Sequence, residues 1–298
     1  MSQLLNFGRK IKITIGNAQF NNDELEIRFE VPFDDDVKPN QSFVELYNLS
    51  NSTISKLKRG QSASIQAGYG GDVGVLCSGK VDRVLTKWEN VEKITKVYII
   101  EGDDFTKVKV SVKDADKSSI RYHKDGPFKG QIVEDALSIG FKPGTDGLTI
   151  IKRIVNVLGI KLGGPISLPR NKIYKKGYNV TKLILNNLEE VVHDCGAAMY
   201  HRRGKLVIRS IKEGTDEKFI LSEDTGLIEI PAQFEETDKK GSIDVQVKGY
   251  KTKCLLQHRI TTASIISVSS SQVKGKFRAK KGVHYNDRDN FLTEFKMI

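Results

Sequence analysis

The residues Glu24-Leu25-Glu26-Ile27-Arg28-Phe29-Glu30-Val31 place an apolar side chain at every second position. A period of two puts Leu25, Ile27, Phe29 and Val31 on one face of an extended strand and the charged residues on the other. The same alternation precedes it, where Ile11, Ile13 and Ile15 interleave with Lys10, Lys12 and Thr14. Downstream, Pro32 and Pro39 bound the acidic run Asp34-Asp35-Asp36, which ends the strand. Residues 42–47 predict another strand, and 51–58 a short polar helix that Gly60 terminates. Strands are then expected over 62–69, 75–86 and 93–101, with a turn at Gly68, Gly70, Gly71 and Gly74. Strands at this spacing predict a sandwich or small barrel over residues 1–105.

The middle of the chain changes period. Leu148, Ile151, Ile154, Val155 and Leu158 recur at helical spacing, with Gly159 placed to stop the helix. Val180, Leu183, Ile184, Leu188, Val191 and Val192 predict a longer helix, capped by Asn179 or Thr181 and closed by Gly196. Residues 131–139 predict a third, shorter helix, and 197–200 with 205–211 a hairpin around Arg202-Arg203-Gly204. Residues 106–228 are therefore expected to form an α+β insert. Residues 229–298 return to strands, with Val245 and Val247, Ile266 and Val268, and then Phe291, Thr293, Phe295 and Met297 on one face. No repeat of fixed period is present, which argues against a solenoid or propeller. The plan is a β domain, an α+β insert and a β domain.

Composition bounds the function classes. The chain has 298 residues, and its 38% hydrophobic content is too high for a disordered protein. No apolar run approaches the ~20 residues of a membrane span, and the start shows no signal-peptide pattern. A soluble protein made in the cytoplasm is expected. Cys77, Cys195 and Cys254 are isolated, so neither a disulfide framework nor a metal-binding pair is expected. The net charge of +11 is unevenly spread: −2 over 1–105, +8 over 106–228 and +5 over 229–298. Lys175-Lys176, Arg202-Arg203, Lys239-Lys240 and Lys280-Lys281 are short pairs, read as solvated turns and strand ends.

No pattern carries chemistry. The glycines at 68–74 lead into a strand and lack the Lys-Ser/Thr of a phosphate loop. Asp34–Asp36 lacks the spaced oxygens of a calcium loop, so a solvated loop is expected. His193 and Cys195 stand two apart on a helix and diverge, and His201 adds no complete zinc set, which leaves Cys195 as a core residue. Glu189 and Glu190 are splayed by ~100° and form no facing acid–base pair. Arg121-Tyr122-His123-Lys124 and Tyr174-Lys175-Lys176 come nearest to a basic–aromatic nucleic-acid surface but read more simply as polar loops. No catalytic, cofactor or metal residue is assigned, and neither an enzyme nor a specific nucleic-acid binder is expected.

The stretch Phe43-Val44-Glu45-Leu46-Tyr47-Asn48-Leu49-Ser50 is followed by Thr53-Ile54, Leu57-Lys58-Arg59-Gly60, Ala67-Gly68-Tyr69 and Ser78-Gly79-Lys80-Val81. This succession resembles the N-terminal domain of phage tail hub proteins. These are the baseplate hub, or late-control-type, proteins of tailed phages and of phage-tail-like bacteriocins of Gram-positive bacteria. Gly275-Lys276-Phe277-Arg278, Val283-His284 and Phe291-Leu292-Thr293-Glu294-Phe295 extend the resemblance to the end of the chain. It implies an α+β, mainly β chain with two tail-tube-like β-barrel or sandwich domains and an α+β insert between them. It also implies a homotrimer that joins the hexameric tail tube to the trimeric central spike or tail tip, among other baseplate proteins. Such a protein would be made in the bacterial cytoplasm, assembled into the virion tail or tail-like particle, and use no cofactor. Two rival readings are a peptidoglycan-degrading hydrolase associated with the hub and a basic β-barrel that binds nucleic acid. The segment 43–49, with Phe43, Glu45, Leu46, Tyr47 and Leu49, is as a whole apolar and aromatic yet bounded by polar turns. With Asp34, Asp35 and Asp36 they are the expected subunit or tube contacts.

Overall fold

Alternation becomes burial strand by strand. The computed structural model describes residues 7–240 and 243–298. Its first strands are β1 (Arg9–Ile15), β2 (Ala18–Asn21), β3 (Ile27–Phe33), β4 (Gln41–Tyr47), β5 (Ser62–Tyr69), β6 (Asp72–Glu89) and β7 (Glu92–Glu101). Ile11, Ile13 and Ile15 of β1, and Ile27, Phe29, Val31 and Phe33 of β3, are all buried, as their period of two requires. The polar helix expected after β4 shrinks to one turn, α1 (Asn51–Ile54), capped by the Ser50 hydroxyl.

The chain then builds a separate compact unit from Asp104–Met199 and Lys205–Ile211. It contains β8 (Ser138–Phe141), β9 (Thr145–Asp146), α2 (Gly147–Leu158), β10 (Ile173–Tyr174), β11 (Tyr178–Thr181), α3 (Ile184–Asp194), β12 (Ala198–Arg202) and β13 (Lys205–Arg209), with Tyr200–Gly204 of the last hairpin belonging to the other unit. Helix α2 runs as its spacing predicts. The Asp146 carboxylate accepts the Thr149 N–H at 3.1 Å at one end, and Gly159 takes a φ of 64° at the other. Hydrogen bonds from Asn171 and Thr149 hold the Asp146 carboxyl down at about 2. Helix α2 packs on α3, and Ile150, Ile151 and Ile154 are buried together with Leu188, Val191 and Val192.

Two helical expectations fail here for one reason. The long helix begins at Ile184 and not near Val180, because Tyr178–Thr181 is strand β11, paired with β8. Lys182, at φ 55°, turns the chain into the helix. Residues 131–139 form a single 3-10 turn, Glu134–Ala136, and then enter β8. Strand pairing gives these backbones the partners that a marginally stable short helix would offer less securely.

The last strands are β14 (Thr215–Leu221), β15 (Ala232–Lys240), β16 (Ile243–Leu255), β17 (Ser264–Ser269), β18 (Lys274–Asn286) and β19 (Phe291–Met297). They join β1–β7 in one compact unit made of the chain up to Asp103, Tyr200–Gly204 and Lys212–Ile298. Residues 212–228 thus lie with the large sheet. That sheet has 13 strands in the order β15-β16-β19-β18-β3-β4-β7-β6-β5-β1-β2, with β17 on β18 and β14 on β17. All pairs are antiparallel except β14 with β17. Among the described residues no pair joins β2 to β15, so the chain by itself closes no barrel. The fold is mainly β with an α+β insert, as expected.

Two cores fill this unit. The first gathers Ile13, Phe29, Leu46, Ile65, Val97, Ile99 and Phe291, and the second Phe33, Leu221, Cys254, Ile266, Ala279, Phe295 and Met297. Strand β19 serves both, with Phe291 in one and Phe295 and Met297 in the other. Between them, Thr293 Oγ1 lies 2.8 Å from His284 Nδ1 and accepts the Gln257 N–H at 3.1 Å. Burial pushes the His284 imidazole down to about 3, so it stays neutral inside the fold. Leu46 is 0% exposed, and Leu46→Ala should cost ~2–5 kcal/mol. Chemical denaturation of the variant against the parent chain measures this.

Candidate interaction surface

Strand β4 sits between β3 and β7, so its two faces meet different surroundings. Val44 and Leu46 point into the first core, whereas Phe43 and Glu45 lie on the opposite face and remain partly exposed. On that outer face the side chains interlock through cations. Lys96 Nζ of β7 stands 3.4 Å from the Phe43 ring centroid and 3.0 Å from Glu45 Oε1. The Arg83 guanidinium lies 4.1 Å over Tyr98, and that of Arg28 lies 4.8 Å over Tyr47. Each such contact is worth about 0.5–1 kcal/mol where exposed. Together they hold the rings in set positions, with Phe43 and Tyr98 partly exposed and Tyr47 buried. A groove of about 350 Å³ opens beside them over β3, β4 and β18, lined by Glu30, Phe43, Glu45, Val283, Tyr285 and Asp287 among others.

The expected contact residues therefore fall into separate places. Phe43 and Glu45 face outward beside the groove. Leu46, Tyr47 and Leu49 are buried, at 0%, 4% and 7% exposure: Leu46 and Leu49 belong to the first core, whereas Tyr47 lies under the Arg28 guanidinium. The acidic run is not the solvated loop expected from its composition. Asp35 pairs with Arg278 at 2.8 Å and with Lys280 at 3.7 Å, and both cations are buried. Asp34 is half-buried, and burial raises its carboxyl above the usual range. Only Asp36 is exposed.

The charged groups missed in the sequence are those around this loop. Lys280 and Lys281 are not a solvated pair, since both reach Glu236, which also binds Lys296. Burial opposes ionisation of Glu236, yet hydrogen bonds from Lys296 and Lys281 outweigh it and hold the carboxyl at about 2. Arg202 pairs with Glu217, and Arg259 and His258 flank Asp72 at 2.5 and 3.0 Å. Glu101 is 5% exposed and accepts the Gly204 N–H at 2.9 Å. Burial pushes its carboxyl up to about 7, against the opposing hydrogen bonds from Gly204 and Asn40. The partners lie from 15 residues apart, for Arg202 and Glu217, to 187 apart, for Asp72 and Arg259, and no local pattern marks the pairing.

Other candidates prove structural. Cys195 Sγ packs against Gly147 at the start of α2 so closely that a Cβ there would come within 2.3 Å. Gly68 and Gly74 lie in the β5–β6 hairpin, and a Cβ on Gly68 would come within 2.0 Å of the Asp72 carbonyl oxygen. Among the described residues no group of three His, Cys, Asp or Glu side chains is placed to hold a metal ion.

No family model matches the chain, and no curated protein matches it by sequence. Solved structures do match its fold. The 43 kDa tail protein of prophage MuSo2 from Shewanella oneidensis aligns at a TM-score of 0.64 and 10% identity, covering 98% of each chain. A tail protein from Neisseria meningitidis aligns at 0.60 and 11% identity, covering 98% of this chain and 96% of that one. An Escherichia coli component of the type VI secretion system, described as structurally similar to bacteriophage T4 tail proteins, aligns at 0.60 and 8% identity over 96% of this chain and 76% of its own. The chain has the fold of phage tail proteins.

Two measurements test the buried charges. Asp35→Ala leaves Arg278 and Lys280 without that carboxylate and should destabilise the chain by ~3–5 kcal/mol, seen as a lower denaturation midpoint. Glu101 has a folded value raised to about 7 from an ordinary 4.5. Its contribution is fully present below the unfolded value and is lost as pH rises through the folded one. Relative to Glu101→Gln, the parent chain should therefore lose ~3 kcal/mol of stability between these values and level off above them. A flat difference across that range would show that Glu101 does not titrate there.

Proposed function

We propose that this chain is a structural hub subunit of a phage tail or tail-like particle, a trimeric adaptor between the tail tube and the central spike or tail tip. The observation that carries the reading is the end-to-end fold match, 98% of both chains, with a prophage tail protein. A likeness confined to one β unit would point only to a shared module. This one includes the insert as well as both cores. The similarity of the Escherichia coli secretion component to tail proteins of bacteriophage T4 supports the same role.

The physical features suit an assembly protein. An open sheet leaves strand edges at β2 and β15, and closing such a sheet with neighbouring subunits removes exposed edges. The ordered outer face of β4, with Phe43 and Glu45 beside a groove, provides a polar–aromatic surface of the kind used at interfaces. Of the acidic run, Asp36 is the member free to meet a neighbour, while Asp34 and Asp35 shape the loop.

Charge separates the two compact units. The insert unit carries 18 Lys+Arg against 10 Asp+Glu, a net of +8 out of the total of +11. Contacts made through the insert should therefore be with acidic neighbours and depend on salt.

Stoichiometry tests the function. Purified particles should contain three copies per tail, and light scattering of the chain at high concentration should show a trimer. A different copy number, or soluble fragments released from peptidoglycan by the purified chain, would overturn the reading. Affinity for the partner held by the insert should fall about tenfold or more between low and high ionic strength, which a salt titration measures.

A further inference from the structure

The hairpin formed by β6 and β7 outruns the sheet that carries it. Pairing of β6 with β5 ends at Lys80, and pairing of β7 with β4 ends at Ile94, opposite Lys87. Beyond these points the chain is a two-stranded ribbon, which is marginal in water without further packing. Its side chains are not those of a solvated turn. Trp88 and Val91 are 69% and 87% exposed, and Leu85, just before the ribbon begins, is 54% exposed. Trp88 shares its face with Val84, which packs on the first core, so the apolar face continues past the point where the core ends. An exposed apolar tip of this kind marks a contact site.

We propose that this tip, led by Trp88, seats in the groove over β3, β4 and β18 of a second copy of the chain. The groove holds about 350 Å³, room for roughly ten waters at ~30 Å³ each and so for an indole ring. Phe43 and Tyr285 give it aromatic walls, in keeping with the preference of aromatic rings for one another. Of its charged lining, Glu45 is paired with Lys96 and Arg28 with Glu26, which leaves Glu30 and Asp287 without an ion-pair partner among the described residues. The tip is complementary in sign. Glu89 is held by Lys87 at 2.8 Å and Glu92 by Arg288 at 3.4 Å, which leaves Lys93, 5.8 Å from the Trp88 ring and bonded only to the neutral Asn51 amide at 3.1 Å, as the cation beside it.

Tip and groove are different patches of one chain, so where two copies do not return the contact to each other it is head-to-tail and continues from copy to copy until it closes into a ring. The inference rests on the reading of the chain as a ring-forming subunit, and names the contact that would make the ring.

Cysteine crosslinking of the full chain tests it, since the native cysteines are all buried. Two differently tagged variants, Trp88→Cys and Val283→Cys, are mixed and mildly oxidised. A disulfide-linked pair that forms in the mixture, and in neither variant alone, is expected. Trp88→Ala should weaken self-association about tenfold or more, as a hot-spot aromatic does, with an unchanged melting temperature. Assemblies of normal size without the crosslink would overturn the docking contact and leave the ring reading standing. A chain that stays monomeric at every concentration, without the crosslink, would overturn both. Trp88→Cys chains that link mainly to one another would replace head-to-tail contact with a two-fold one.

Discussion

Strand β18 divides one of its edges between two partners. Gly282–Asn286 pair with β3 and Lys274–Arg278 with β17, while the opposite edge pairs with β19. A continuous run of backbone hydrogen bonds therefore links the strands around the first core to those around the second. The crossing is tight. A Cβ on Gly282 would come within 2.4 Å of the Glu294 carbonyl oxygen and 2.6 Å of the Phe33 ring, so only glycine allows the strands to approach this closely. Because the ladder runs through the junction, neither core can open without fraying a strand that also belongs to the other. The order of the remaining strands, and the position of the acidic loop after β3, follow from this shared edge.

The charged groups near the junction add specificity more than stability. A buried ion pair repays its desolvation only with good geometry, and an apolar replacement of similar volume is often no worse. What Asp35, Arg278 and Lys280 do provide is a unique alignment. A shift of β18 along β3 by one residue would turn these side chains to the other face and strand the charges. Glu236, held by lysines of β18 and β19, binds β15 to the same arrangement. The cations of the outer face act differently. Lys96 and Arg83 lie over aromatic rings at the surface, where they set ring orientation.

Local period was legible, and distant pairing was not. The strands of β1, β3 and β19 could be read from residues such as Ile13, Phe29 and Phe295 because alternation is a property of a few consecutive positions. Helix α2 could be read because Leu158 and Gly159 mark its end locally. The start of α3 was misread since Val180 fits a buried position in either a strand or a helix, and only its pairing with Ile139 decides between them. The same limit explains the acidic loop. Three aspartates in a row look solvated until Arg278, 243 residues further on, is brought to Asp35. For the proposed interaction surface, the stretch around Phe43 did not separate its inward residues from its outward ones, and the exposed Trp88 tip read as an ordinary strand end. Exposure is set by where the neighbouring strands stop, which no short stretch of sequence records.

The placement of the three cysteines has a practical side. Cys77 lies in the first core, Cys254 in the second and Cys195 in the insert unit, and all three are free and buried. Burial also pushes the Cys77 and Cys254 thiols up, away from the reactive thiolate. Each compact region thus contains a single silent reporter, released only when that region opens. The order in which the three thiols become reactive under mild denaturant is a direct readout of whether the shared strand makes the two cores open together, and of whether the insert opens before them.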